Sequence, residues 1–293
     1  MSATPAARRS KSRANPHRRI PVFLLAAAAL LTLAPKLSAH DFWLIPDMFG
    51  FPEGSVIHIN GRQGTRFPNG TAVRADQIVQ ARIIGANSDA KITEMSVEGT
   101  SLKLHQKPSA IGQYLVIAAV TPRTLRSPAP GFLRFLRAEG AAAEAARLER
   151  EKALTGLDTV VYNSATFAAT TAQVGNGGPR AFSKTAGLPL EFVPVNDPAH
   201  VHVGDTLHVR VVANGKSVPR ISLDATPAID SARTTGSAMM ISITADDNGI
   251  AHVPLSRSGP WMLRSAYVTR HAPAANELDV ARSTYVFAVA EKH

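Results

Sequence analysis

The sequence predicts a mainly β protein built from two antiparallel β-sandwich domains, with a short helical insertion in the first. Short runs that alternate apolar and polar residues recur along most of the chain, and clusters of Gly, Pro, Asn and Asp separate them. Such runs are typical of strands joined by tight turns. Regular spacing of short strands favours packed antiparallel sheets of immunoglobulin-like or prealbumin-like architecture.

The clearest strands and turns can be placed in order. Strands are predicted at 55–60, 78–84, 114–120 and 206–212, and turns at 52–54, 213–216 and 246–249. The segment 131–154 differs, because it is rich in Ala, Glu, Arg and Leu with apolar residues at helical spacing. We therefore expect one or two helices inserted between strands there.

A domain boundary is predicted near 174–180, where Gly, Asn and Pro cluster without a periodic pattern. The first domain would span 40–180 and contain the helical insertion. The second would span 187–293, with the length and turn spacing of one sandwich.

The first 39 residues have the features of an export signal. Six Lys and Arg residues with no acidic residue precede an apolar run at 20–33. That run is short for a transmembrane helix, which needs roughly 20 apolar residues. Ala39 offers a small residue at the cleavage point, so we expect a periplasmic or secreted protein that begins at His40.

Removal of this leader changes the charge balance. Of 32 Lys and Arg residues, seven lie in 1–39, which leaves 25 basic against 22 acidic residues. A nucleic-acid partner is therefore not predicted from the high overall pI. The chain has no cysteine, which excludes disulfides, thiolate catalysis and Cys-based zinc sites.

Several segments resemble a known family. They are HDFWL (40–44), GLPLEFVP (187–194), VGDTLHVRVVANGK (203–216), ADDNGIAHVPLSRSGPWMLRSA (245–266) and STYVFAV (283–289). In this order they are similar to the bacterial periplasmic domain-of-unknown-function 4198 family, whose members are often described as the periplasmic component of a cobalt or nickel uptake system. The resemblance implies a metal ion as ligand and a membrane uptake system as partner. It also departs at one point, since Tyr267 and Val268 stand where relatives tend to carry His-Met.

The predicted cleavage point suggests a metal site. If His40 becomes the first residue, its α-amine and imidazole Nδ1 can chelate one ion. Nitrogen ligands suit Ni(II) and Cu(II), with Co(II) and Zn(II) as further candidates. A third ligand must come from elsewhere in the fold.

The other histidines supply the candidates for that ligand. His58 lies on a neighbouring predicted strand, and His200 and His202 share one face if their segment is extended. His271 follows the position at which relatives carry His. His105, His208 and His252 are weaker candidates, because a single histidine is more often a surface or core residue than a metal ligand.

No catalytic residue is predicted. The sequence lacks a nucleophile elbow, a zinc-protease helix and a phosphate-binding loop, so an exported hydrolase is only a minor alternative. The main alternative to metal binding is a metal-independent β-sandwich module that binds a protein or glycan partner.

Overall fold

The computed structural model describes Met1 and residues 40–228, 240–270 and 277–292. The predicted leader, apart from Met1, and the candidate ligand His271 therefore lie outside the described residues. Residues 38–293 form one compact unit. Within the described ranges, no helix has the length and apolar character needed to span a bilayer.

The described strands form three sheets. The first sheet has the order β1-β3-β8-β7, with β4 beside β3; these strands are β1 (Asp41–Pro46), β3 (Ile57–Arg66), β4 (Asn69–Ala72), β7 (Glu94–Glu98) and β8 (Ser101–Gln106). The third sheet is formed by β11 (Leu190–Pro194), β12 (Thr206–Ala213), β13 (Lys216–Ser217) and β16 (Ile250–Pro254), with β12 paired to the other three.

The central sheet is the largest. Its strands are β2 (Gly50–Phe51), β5 (Ile78–Ile84), β6 (Asp89–Lys91), β9 (Gly112–Pro128), β10 (Thr159–Val174), β14 (Ser222–Pro227), β15 (Ile241–Thr244), β17 (Gly259–Arg270) and β18 (Glu277–Val289). Their order is β15-β14-β17-β18-β10-β9-β5-β6, with β2 beside β10. All pairs are antiparallel except β10 with β18 and β10 with β2, so the sheet is mixed.

The smaller sheets pack on the central sheet to give two apolar cores. The first sheet and the central sheet enclose one core, which includes Phe42, Leu44, Ile59, Leu104, Ile83 and Val116. The third sheet and the central sheet enclose the other, which includes Phe192, Leu207, Val253, Trp261, Leu263 and Phe287. The predicted mainly β, sandwich-like class is confirmed.

The helical insertion is also confirmed. Helices α1 (Ala129–Ala138) and α2 (Ala142–Arg150) follow β9 and precede β10. Apolar side chains at helical spacing, among them Phe132, Leu136 and Leu148, are buried on the central sheet beside Tyr162. Gly140 separates the helices with a φ of 76°, a conformation that a residue with a Cβ rarely adopts.

The central sheet joins strands from both sides of the predicted domain boundary. β9 and β10 precede that boundary and β14, β17 and β18 follow it, yet β10 and β18 pair over ten residue positions. The division into domains at 40–180 and 187–293 stays a prediction, since the two sandwiches share this sheet.

Candidate functional site

A pair of histidines faces outward from the first sheet. The register of β3 and β8 places His58 directly opposite His105. Since strand side chains alternate, Ile57, Ile59 and Leu104 point into the core and both imidazoles point outward. The two Nδ1 atoms lie 2.7 Å apart.

Carboxylates lie on both sides of this pair. Glu94 on β7 is the cross-strand neighbour of His105 and is exposed. Asp47 follows β1 and accepts hydrogen bonds from Asn60 (2.6 Å) and Lys103 (3.4 Å). Partial burial opposes ionisation of Asp47, but these partners lower its pKa. The outer face of the sheet therefore has imidazole ligands with negative charge nearby.

The third sheet carries a second pair of the same kind. β12 and β16 place His208 opposite His252, with 2.8 Å between the two Nδ1 atoms. The Nε2 atom of His252 lies 3.6 Å from Oδ2 of Asp246. Backbone N–H groups of Ile250 and Asn248 hydrogen-bond this carboxylate and, with His252, lower the pKa of Asp246. The same contacts form the turn predicted at 246–249.

The geometry of both pairs fits two ligands on one transition-metal ion. Two nitrogens ~2.0–2.1 Å from one ion are about 2.9 Å apart at a right angle and about 3.4 Å apart at the tetrahedral angle. The observed 2.7 and 2.8 Å are hydrogen-bond distances between the two imidazoles, and they are closer to the first value than to the second. Among the described residues, no group of three His, Cys, Asp or Glu side chains is arranged to hold an ion, so each pair supplies two ligands.

His40 lies far from His58. It is exposed and precedes β1, and its carbonyl accepts a hydrogen bond from Arg282 at 3.0 Å. The register pairs Asp41 with Gly64, whereas His58 lies opposite the position after Pro46. At ~3.3 Å per residue the separation is about 23 Å. His58 therefore cannot complete an ion site at His40.

The structure places His200 and His202 in separate interactions. His200 ends a 3-10 turn (Pro198–His200) and its Nδ1 lies 3.1 Å from Asp197. His202 forms a bridge with Ala290, and its Nδ1 lies 3.5 Å from Asp205. The segment is not a continuous strand, so the extended geometry that would put both imidazoles on one face is not present.

A buried ion cluster connects the start of β1 to the centre of the molecule. Nη1 of Arg264 donates to Asp41 at 2.8 Å and its Nη2 donates to Asp224 at 3.2 Å. Nε of Arg282 donates to Glu139 at 2.6 Å. The three carboxyl residues are at most 4% exposed. Sequence analysis did not identify this cluster, although Asp41 and Arg264 both lie in segments that carry the family resemblance.

The electrostatics of the cluster centre on Glu139, the residue just after α1. Burial raises the pKa of this carboxyl, and the negative charge of Asp41 adds to the effect, against the opposing charge of Arg282. Oε1 of Glu139 has no hydrogen-bond partner in the described part of the chain. The folded protein therefore favours the protonated form of Glu139 more than water does.

This raised pKa predicts a pH-dependent stability. A carboxyl with a raised pKa stabilises the fold in its protonated form, so the contribution is complete below the ordinary value of 4.5 and is lost as pH rises through the raised value. We expect Glu139→Gln to be more stable than wild type at pH 7, and the advantage to shrink as the pH falls toward 4.5. Thermal unfolding of both proteins between pH 4.5 and pH 7 measures this difference in stability. A constant difference at all pH values would contradict the prediction.

Comparisons with known proteins place the chain in a family. The model of the domain of unknown function DUF4198 matches residues 37–269, whereas no curated protein matches the chain significantly. Solved structures with similarity include the D0-D1 domain of Intimin (11% identity, 83% of this chain and 96% of that chain, TM-score 0.19).

Two more solved structures are a DUF4785 family protein from Legionella pneumophila (8% identity, 78% and 52% coverage, TM-score 0.25) and trypsin-activated alpha-2-macroglobulin from Escherichia coli (12% identity, 87% and 16% coverage, TM-score 0.24). The chain thus spans about half of the first of these and a small part of the second. TM-scores this low support no argument about function. The match over most of its length shows that the chain belongs to the DUF4198 family, a domain of unknown function.

Proposed function

We propose that this protein is exported and binds a transition-metal ion through paired histidines on the outer faces of its sheets. One observation carries the proposal: in each of two cross-strand pairs, His58 with His105 and His208 with His252, the Nδ1 atoms converge to 2.7–2.8 Å. Each pair has a carboxylate nearby, and imidazole is a ligand that suits Cu, Ni and Zn.

The short nitrogen separation favours Cu(II) and Ni(II). Both ions accept ligands at right angles in tetragonal geometry, whereas structural zinc sites are tetrahedral and need wider spacing. Water completes the coordination, with Glu94 within side-chain reach of the first pair because it is the cross-strand neighbour of His105. Co(II) and Zn(II) are expected to bind more weakly.

His40 is a separate candidate within the same function. After cleavage, its amine and imidazole give two ligands for one ion. The nearest carboxylate in sequence, Asp41, is engaged by Arg264 and Arg282. Because Asp41 is buried and already paired with two arginines, it does not add a ligand to His40, and His40 supports the function less well than the histidine pairs.

The position of the histidine pairs supports a role in metal handling. Both pairs are on the surface or partly buried, so an ion can exchange with solvent or with another protein. A protein that binds and releases metal without transforming a substrate suits metal uptake or handling in the periplasm, with a membrane uptake system as partner. The family resemblance supports this role.

Calorimetric titration of Cu(II), Ni(II), Co(II) and Zn(II) into exported protein, with its start verified as His40, tests the proposal. We expect two equivalents of Cu(II) or Ni(II). His105→Gln and His252→Gln should each weaken one binding event at least tenfold, about 1.4 kcal/mol, because one of two ligands is lost. Binding should weaken as pH falls, since protons compete for imidazole.

His200→Gln is the matched control, because His200 contacts Asp197 rather than another histidine. A version with one residue added before His40 isolates the contribution of the amine. Loss of all binding in that version alone would assign the site to His40. Absence of binding in every version would favour the metal-independent interaction module.

A further inference from the structure

A cleft opens where two parallel strands of the central sheet diverge. β10 and β18 pair in parallel up to Thr170 and Val286. Beyond this point β10 pairs with β2 instead of β18. Ala290, just after β18, forms a bridge with His202. The crevice between the separated carboxyl ends has a volume of about 510 Å³. Ligands of open α/β sheets bind in crevices of this kind.

The lining combines apolar side chains with one positively charged group, the guanidinium of Arg180. Apolar side chains include Phe49, Val201 and Val289, and the ionisable residues that line the cleft are Arg180 and His200. No Asp or Glu belongs to the described lining. The volume lies within the ~300–1,000 Å³ range of small-molecule sites.

Polar partners hold Arg180 and His200 in place. The side chain of Asp197 is 11% exposed, forms an ion pair with Arg180, and has its Oδ2 3.1 Å from Nδ1 of His200. Gln113, itself buried, donates to Asp197 at 2.8 Å and accepts from the backbone of Phe182 at 2.8 Å. Arg180 uses Nη1 for its contacts with Asp197 and His200, and no hydrogen bond or ion pair occupies its Nη2 or Nε in the described part of the chain.

We propose that this cleft binds a small organic carboxylate, with its carboxylate on Arg180 and its apolar part against Phe49, Val201 and Val289. Guanidinium groups pair with carboxylates through two parallel hydrogen bonds. The anion would share the guanidinium of Arg180 with Asp197, whose ion pair is with Nη1. The ligand is either a free short-chain acid or the carboxyl terminus of a peptide. This site is separate from the histidine pairs and does not depend on metal binding.

Titration calorimetry with hexanoate, hexanamide and hexylamine tests the chemistry on the intact exported protein. Hexanoate should bind at least tenfold more tightly than the neutral amide of the same chain, and the amine should not bind. An Ala-Val-Leu peptide with a free carboxyl terminus, compared with its amidated form, distinguishes the two sources. Tighter binding of the free peptide than of hexanoate would assign the site to peptide termini, and the reverse to small acids. Either result supports the proposal.

Two variants locate the binding. Arg180→Gln should weaken hexanoate at least tenfold, and Ala199→Trp, which fills the cleft, should do the same. Arg220→Gln is the matched control, because Arg220 also pairs with an aspartate, Asp247, but lies outside the cleft. Equal binding of acid and amide, or unchanged binding in Arg180→Gln, would overturn the proposal, and so would the absence of hexanoate and peptide binding.

Discussion

Arg264→Met should destabilise the protein by about 3–5 kcal/mol, because it removes the nearest cation from two buried carboxylates and leaves Asp41 only the more distant Arg282. Arg264 lies between Asp41 and Asp224, at 2.8 and 3.2 Å, and these residues are 4% and 3% exposed. Methionine fills a similar volume, so the lost charge dominates the effect. Urea unfolding at pH 7 measures it as a lower midpoint with an unchanged m value.

Two further variants separate charge from packing. Arg220→Met removes an exposed partner of Asp247 and should change stability little. Adding Asp41→Asn and Asp224→Asn to Arg264→Met should recover part of the loss, since the buried negative charges are then absent. If Arg264→Met is no more destabilising than Arg220→Met, the cluster does not have the energetic role assigned to it.

The cluster brings together widely separated segments of the chain. Asp41 belongs to the HDFWL segment. Arg264 is the last residue of the WMLR stretch and lies 223 positions later in the chain. Arg282 immediately precedes the terminal STYVFAV segment. Residues of these segments therefore meet in one buried network of ion pairs.

Strand positions could be predicted from sequence because alternation is a local property. The runs predicted at 78–84 and 206–212 match β5 and β12 closely. The parallel pairing of β10 with β18 could not be predicted, since its partners are more than 100 residues apart and nothing local specifies register or direction. The mixed character of the central sheet is therefore visible only in the structure.

The same limit applies to the candidate sites. Each histidine was visible in the sequence, but the pairing of His58 with His105 depends on the register between β3 and β8. His-x-His at 200–202 was visible locally, yet the 3-10 turn at Pro198–His200 separates the imidazoles. Pro198 could have indicated this turn from the sequence, because proline is favoured at the first position of a helical turn and disfavoured inside a strand. The cleft forms where β10 and β18 diverge, and no local sequence pattern predicts that divergence.

Glu191→Ala is expected to cost roughly 3 kcal/mol through the loop that precedes β11. The carboxylate of Glu191 is buried and accepts hydrogen bonds from the backbone N–H groups of Ala186 (2.5 Å), Gly187 (3.0 Å) and Leu188 (3.0 Å). Gly187 is exposed and can bond water, but Ala186 and Leu188 are buried. Each buried N–H left without an acceptor costs ~1–3 kcal/mol.

Glu191→Gln separates the acceptor from the charge. Burial raises the pKa of Glu191, so the backbone hydrogen bonds and Arg82 offset only part of its desolvation. Glutamine keeps one acceptor oxygen but turns an amide group toward the remaining donors, and we expect about half the loss seen with alanine. Glu53→Ala, at an exposed position, is the control. Equal urea midpoints for Glu191→Ala and Glu53→Ala would show that the GLPLEF segment folds without its buried carboxylate, and the hydrogen-bonded turn at 186–188 would then need another source of stability.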